Sequence, residues 1–368
     1  VSGFAVPVVL VAFARADTLA LVLASLRQVR PRLLLVVTDG PRATHPGDAA
    51  ACAAVRAVLQ TIDWPCDIRR RQSDRNLGCD ASITTGLDWA FRQVDEAIVL
   101  EDDVVPDPSF FPWCAAMLRR HRHDPAVMQV SGRNELGRWG HAGVDHLLVR
   151  RGSVWGWATW ARAWSGVDRT WFAAPDGPKR GGAALDRLIL DPLLADHLSV
   201  HLGLAASGER PGWDVMWSIC RILAGGLSVI PPVNLIANIG FGAGATRTKN
   251  GADIRGGLRA GAIPALYDGR SAGIDPHYDR LSLLVELMAT YRHPAMARRL
   301  AERPQLLPRA RPEERAALLH HLAPFAHADE SLRVLQHLRS LGASTAESAK
   351  IEAALQALPV RRPEVVHA

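Results

Sequence analysis

Short apolar runs alternate with helical stretches through the first third of the chain. Val6 to Phe13 is almost wholly apolar, the pattern of a strand buried on both faces. A helix is predicted from about Thr18 to Arg27, with Leu19, Leu23 and Leu26 on one face. Leu33 to Val37 reads as a second strand, Asp48 to Gln60 as an alanine-rich helix, and Cys66 to Arg71 as a poorer third strand. The next helix spans about Asp80 to Val94, its inner face marked by Ile83, Leu87, Ala90 and Val94. Ala97 to Leu100 is again strand-like, followed by a helix from Phe110 to Arg122 and a strand from Ala126 to Ser131. This rhythm predicts parallel strands joined by right-handed crossovers.

Beyond Trp139 the pattern changes. Six of the eleven tryptophans fall between Trp139 and Trp171, four of them in Val154-Trp155-Gly156-Trp157-Ala158-Thr159-Trp160-Ala161-Arg162-Ala163-Trp164. A core of large rings accounts for most of them, although a ring with an N–H handle also suits a sugar face. A helix is predicted from Arg210 to about Ala224, with Trp213, Trp217 and Cys220 inward. A short strand at Leu227 to Ile230 leads into an irregular, glycine-rich stretch ending in Thr246-Arg247-Thr248-Lys249. From Asp279 onward the pattern is helical to the end, without a clean repeat.

Composition narrows the picture modestly. The 368 residues carry a formal net charge of +6, which suits an anionic small ligand or an acidic membrane surface. Nucleic acid is not expected as a partner, because no stripe of basic residues interleaves with aromatics. The five cysteines are scattered and lack CxxC spacing, so neither a disulfide framework nor a zinc site is expected, and a reducing compartment is. The N-terminal apolar run meets Arg15 and Asp17 too soon to span a bilayer and reads as the first strand.

The candidate chemistry lies at strand ends. Glu101-Asp102-Asp103 closes the strand at Ala97 to Leu100 with three adjacent carboxylates. Either they form a solvated acidic turn, or a divalent cation relieves their repulsion, since hard cations take oxygen ligands. Asp39 sits in Thr38-Asp39-Gly40-Pro41, a turn signal in its own right. The polar loop Arg75-Asn76-Leu77-Gly78 follows the third strand. In open α/β sheets ligands collect at the carboxyl ends of strands, so these features are expected on one rim. No GxGxxG or GxxxxGK[ST] turn follows the first strand, so a nucleotide would be held through base, ribose and metal. Asp214 falls in the first turn of a helix, as a favoured N-terminal acid or as a general base. The loop ending in Arg247 and Lys249 either folds over a phosphate or links two segments.

Together, Val99-Leu100-Glu101-Asp102-Asp103-Val104-Val105-Pro106-Asp107-Pro108-Ser109-Phe110-Phe111, Trp155-Gly156-Trp157-Ala158-Thr159-Trp160 and Asn238 to Thr248 resemble the metal-dependent glycosyltransferases of the GT-A fold. More narrowly they look like bacterial family 2 enzymes related to N-acetylglucosaminyltransferase I. The resemblance spans roughly Val6 to Lys249 and implies a Rossmann-like α/β fold, with a mixed, mostly parallel sheet flanked by helices. It implies that Asp39, Arg75, Asn76 and Gly78 contact the nucleotide, joined by Phe13, Arg15 and Glu101, with Asp102 on the ribose. Asp103 would ligate Mn²⁺ or Mg²⁺, Arg247 and Lys249 would meet the diphosphate, and Trp155, Trp157 and Trp213 would contact acceptor or sugar. Asp214 would be the base in an inverting single displacement. Related sequences usually carry histidine where Arg247 stands; arginine offers no lone pair to a metal but pairs bidentately with phosphate.

The expected function is therefore hexosyl or N-acetylhexosaminyl transfer from a nucleotide sugar, a UDP-sugar foremost, to a glycan or other hydroxyl acceptor, as in polysaccharide biosynthesis. The alternatives are a sugar nucleotidyltransferase, which should carry glycine after the first strand where Ala14 to Asp17 has none, and a non-catalytic carbohydrate-binding scaffold. The expected domains are 1–278, divided near 131, and a helical appendage over 279–368. A cytoplasmic location is expected, with peripheral membrane attachment through the Arg-rich C-terminal helices left open.

Overall fold

The computed structural model describes residues 3–139, 144–174, 176–189, 191–207, 211–241, 256–263, 271 and 273–290. In chain order the first half contains β1 (Val8–Ala12), α1 (Ala16–Val29), β2 (Leu33–Thr38), α2 (Asp48–Gln60), β3 (Asp67–Gln72), α3 (Cys79–Ala90) and β4 (Glu96–Glu101). Then come β5 (Val104–Pro106), α4 (Phe110–Arg120), β6 (Val127–Ser131), β7 (Leu147–Val149), β8 (Trp157–Trp160) and α5 (Ala161–Gly166). The remainder comprises α6 (Gly177–Leu188), α7 (Pro192–Ala206), α8 (Trp213–Leu223), β9 (Leu227–Ile230), β10 (Ile236–Asn238) and α9 (Pro276–Thr290).

The expected fold class is present: a mixed, mostly parallel sheet flanked by helices. Its eight strands run in the order β3-β2-β1-β4-β8-β6-β9-β7. β1, β2, β3 and β4 pair in parallel, so that Val8 faces Leu34 on one side and Ile98 on the other. Every residue of β1 is buried, and so is all of β2 after Leu33, which is why these strands read as unbroken apolar runs. β3 alternates poorly because it is an edge strand whose Asp67, Arg69 and Arg70 are exposed.

The second half departs from the expected rhythm. β8 lies antiparallel between β4 and β6, and β7 runs antiparallel to β9. The tryptophan-rich segment is thus a central strand as well as an aromatic core. Trp157 stacks within about one ring diameter of Trp164, Trp213 and Trp217, at centroid separations of 6.4, 6.2 and 5.5 Å. The sequence pattern also gave no sign of α6 and α7, which occupy a stretch left without elements. Within the irregular stretch after Pro231, β10 pairs antiparallel with β5, carrying Asn238 opposite Val104.

Two apolar clusters result. The larger surrounds β1 to β4 and the tryptophans; the smaller joins Leu194, Leu198, Ile219, Ile222 and Ile230 to Leu281 and Leu283. α9, which straddles the expected boundary at 278, therefore packs into the body through Tyr278 and Leu281. The further helices expected after α9 fall on residues outside those described. All five cysteines are free thiols. Among the described residues no helix is long and apolar enough to cross a membrane.

Candidate functional site

The carboxyl ends of β1, β2 and β4 lie side by side, and each carries polar groups that hold the next. At the end of β1, the Phe13 amide donates to Asp102 Oδ2 at 2.9 Å. Two residues on, Arg15 Nη1 donates to Asp103 Oδ2 at 2.7 Å. Asp102 is only 9% exposed, and burial, reinforced by the charge of Asp103, pushes its carboxyl up to about 7. Burial also raises the Asp103 carboxyl, against the opposing pull of Arg15. Glu101 ends β4 in register with Val11.

The β5–β10 pair brings a second segment onto this corner. The Ile239 amide donates to the Asp103 carbonyl at 2.9 Å, and the Gly240 amide donates to Asn238 Oδ1 at 2.8 Å. Glycine is required here by proximity: a Cβ at residue 240 would stand 1.9 Å from Asp103 Oδ2 and 2.6 Å from Arg15 Nη1.

Asp39, at the end of β2, organises the loop before α3. Its Oδ1 accepts from the Gly40 and Leu77 amides, both at 2.9 Å, and its Oδ2 from Asn76 Nδ2 at 3.0 Å and the Gly78 amide at 3.1 Å. A carboxylate has about four lone-pair positions, and these bonds take them. Asp39 therefore shapes the turn, its carboxylate fixing the loop that leads into α3. Gly78 supplies φ +82° at the N-cap of α3, the left-handed region that glycine enters without steric cost. Arg75, within this loop, is exposed.

Asp214 enters through α8. It occupies the first turn, where the helix dipole favours an acid. The adjoining Trp213 amide donates to Asp80 Oδ1 at 2.7 Å, tying the start of α8 to the start of α3. Asp214 lines a cavity of about 140 Å³ with Trp155, Glu135, Arg151, His197 and Glu286. Trp155 is half-buried, with Arg133 over its face at 4.7 Å and Phe241 edge-on at 5.5 Å. Phe241 follows Gly240, so residues 240–241 connect the Asp103 corner to the cavity.

Of the three tryptophans expected at a ligand, only Trp155 lines this cavity. Trp157 is fully buried and Trp213 is 4% exposed; both are core rings, because β8 and the start of α8 face each other across the aromatic cluster. Arg247 and Lys249 lie outside the described residues. The sequence reading missed His197, which sits on α7 with 6% exposure, its Nε2 3.8 Å from Glu286 Oε1. Burial drives its imidazole down to about 3, so it is neutral at physiological pH. The spacing His197-x-x-x-His201 was the available signal, one helical turn on one face.

No protein-family model matches the chain, and no curated protein matches it. Among solved structures, the chain is similar to a mannosyltransferase, PcManGT from Pyrobaculum calidifontis, in complex with GDP-Man and Mn²⁺. That likeness has 16% identity and a TM-score of 0.39, over 95% of this chain and 84% of that one. It is also similar to the apo form of mouse xyloside xylosyltransferase 1, at 10% identity and a TM-score of 0.31, over 59% of this chain and 81% of that one. At that level of likeness neither speaks for the chemistry of this chain.

Proposed function

We propose that this chain is a GT-A-type glycosyltransferase that moves a sugar from a nucleotide-sugar donor to an acceptor hydroxyl, with inversion. The observation that carries this reading is a continuous rim: Asp39 with its clamped loop, Phe13 with Asp102, and Arg15 with Asp103, adjoining the cavity lined by Asp214. A relationship to bacterial family 2 enzymes and a UDP-sugar donor belong to the same proposal.

In this reading the loop of residues 75–78 borders the nucleotide and Asp102 faces the ribose. Asp102 is buried and Asp103 partly so, and among the described residues the Arg15 guanidinium is bonded to Asp103, so the corner gathers hard oxygen donors. Among the described residues no group of three or more acidic, histidine or cysteine side chains is arranged to hold a metal by itself. Such donors suit a Mg²⁺- or Mn²⁺-type cation, which Asp103 would hold. Such a cation supplies neutralisation of the charge that grows on the departing diphosphate.

The chain's own residues do the rest. Trp155 offers a half-buried ring edge and face to a sugar, and Arg133 holds that ring in place. Asp214 accepts the proton of the attacking hydroxyl, a contribution worth about 10²–10⁴-fold. His197, neutral and inside the cavity, can exchange hydrogen bonds with hydroxyls without adding charge.

The test is a panel of UDP-, GDP-, dTDP- and CMP-sugars scored by thermal stabilisation with and without Mn²⁺. One nucleotide class is expected to raise the melting temperature only when Mn²⁺ is present, and Asp103→Asn is expected to abolish that dependence. Stabilisation by no member of the panel, or an unchanged Mn²⁺ effect in the variant, would remove this reading.

A further inference from the structure

The Arg15–Asp103 pair ties up Oδ2 of the carboxylate that the proposed cation would use, and this has a consequence for binding order. Arg15 is the N-cap residue of α1; its backbone carbonyl accepts from the Leu19 amide at 3.1 Å and from Thr18 Oγ1 at 3.4 Å, so the main chain beneath the side chain is fixed. The Arg15 side chain is 20% exposed and that of Asp103 14%, which places the pair well inside the corner without sealing it. Gly240 closes over both partners so tightly that even a methyl group would overlap them. On the far side, Asp102 is turned to the Phe13 amide.

Consider a divalent cation arriving alone. It must approach Asp103 while the guanidinium is bonded to Oδ2, and two like charges sharing one carboxylate repel strongly in a half-buried setting. If Arg15 withdraws, its charge loses its carboxylate partner in a partly desolvated position. A diphosphate changes both terms. Its oxygens complete the cation's coordination, and they also accept the guanidinium in a charge-assisted bond at least as good as the one given up.

Resting on the function proposed above, we infer that Arg15 is a stand-in cation. It neutralises Asp103 before ligands bind and passes to the donor diphosphate when metal and donor arrive together. The protein then takes up metal as part of a metal–nucleotide complex and binds the bare ion poorly. Arg15 acts as a positioning residue for both.

The experiment measures Mn²⁺ binding to the full chain by the loss of the free-ion paramagnetic resonance signal, with and without UDP or GDP, whichever stabilises the protein. In the wild type, nucleotide is expected to tighten Mn²⁺ binding at least ~10-fold, the scale of one charge-assisted bond. Arg15→Gln is expected to bind bare Mn²⁺ at least ~10-fold more tightly than the wild type, by the same scale, and to gain less from nucleotide. Arg15→Lys, which keeps the charge, should stay near the wild type.

Two results would overturn the inference alone. One is bare Mn²⁺ binding to the wild type as tightly as it does with nucleotide, which needs no variant. The other is a folded Arg15→Gln with unchanged bare-ion affinity, while Asp103→Asn loses nucleotide-linked Mn²⁺ binding. Should Asp103→Asn bind Mn²⁺ and nucleotide like the wild type, the site assignment itself fails, and the role of Arg15 with it.

Discussion

Asp39 and Asp214 are both single carboxylates near strand or helix ends, yet their surroundings differ: one anchors a loop, the other lines a cavity. Asp39 is 5% exposed and accepts bonds from three backbone amides and one side-chain amide. Asp39→Ala strands those donors, and each buried unsatisfied group costs about 1–3 kcal/mol, so a loss of roughly 2–4 kcal/mol is expected in urea denaturation. Nucleotide affinity should fall as well, because the loop loses its anchor. Asp214→Asn is expected to behave oppositely: unfolding and donor-induced stabilisation close to wild type, with transfer slowed at least ~10²-fold. Near-normal transfer by that variant would place the base elsewhere. Both acids stood out in the sequence, but the hydrogen bonds that fill the Asp39 carboxylate did not. Which lone pairs the Asp39 carboxylate has left depends on amides 37 to 39 residues away, and those meet it only through the fold.

At the scale of elements, the parallel half was readable because each of its central strands is a compact apolar run buried on both faces. β8 escaped because a four-residue strand made of two tryptophans, alanine and threonine has no period of its own. α7 escaped because it carries leucines and histidines around much of its circumference, so no polar stripe marks it. Helix ends carry a pH prediction. His121, the C-cap residue of α4, and His146, just before β7, lie edge to face at 5.3 Å, with Asp145 bonded to His146 at 2.6 Å. Burial, with the other imidazole, lowers His121 to about 4, and burial lowers His146 too. A free histidine titrates near 6.5, so between that pH and the folded value the unfolded chain binds the extra proton. The stability that neutral His121 contributes is therefore complete above about pH 6.5 and lost as the pH falls toward 4. Asp279, raised to about 6 by burial, works in the other direction. The clean measurement is thus a difference. Between pH 7 and 5 the wild type should lose about 2 kcal/mol relative to His121→Gln, from roughly 1.4 kcal/mol per pH unit over the window. Parallel pH profiles for the two proteins would refute it.

For the whole molecule, the site lies on a seam between two cores. Trp155 packs against the larger cluster, whereas Leu198 and Val215, on the other side of the cavity, belong with the smaller one. The tryptophan group of the larger cluster lies on one side of that seam. Trp217 is 3% exposed, lies 5.5 Å from Trp157 and 5.2 Å from Trp164, and donates to Gln129 Oε1 at 2.7 Å. Trp217→Ala is expected to cost about 3–5 kcal/mol in denaturant unfolding, the usual range for a buried large ring. A loss below 1 kcal/mol would mean that the stack is not a single packing unit. The sequence announced many tryptophans but not this seam, since a cavity between clusters is a property of how α7, α8 and α9 close on the sheet.

The outer edge of the sheet has a consequence of its own. β3 ends the strand order, and its open side is free of any described strand. If two such edges met antiparallel in register, Ile68 would face Arg71, and Arg69 would face Arg70 of the second molecule. Guanidinium would oppose guanidinium at the centre of the contact. Arg69 is paired with Asp67 on its own strand, which leaves Arg70 as the exposed charge that discourages strand-by-strand growth from one molecule into the next.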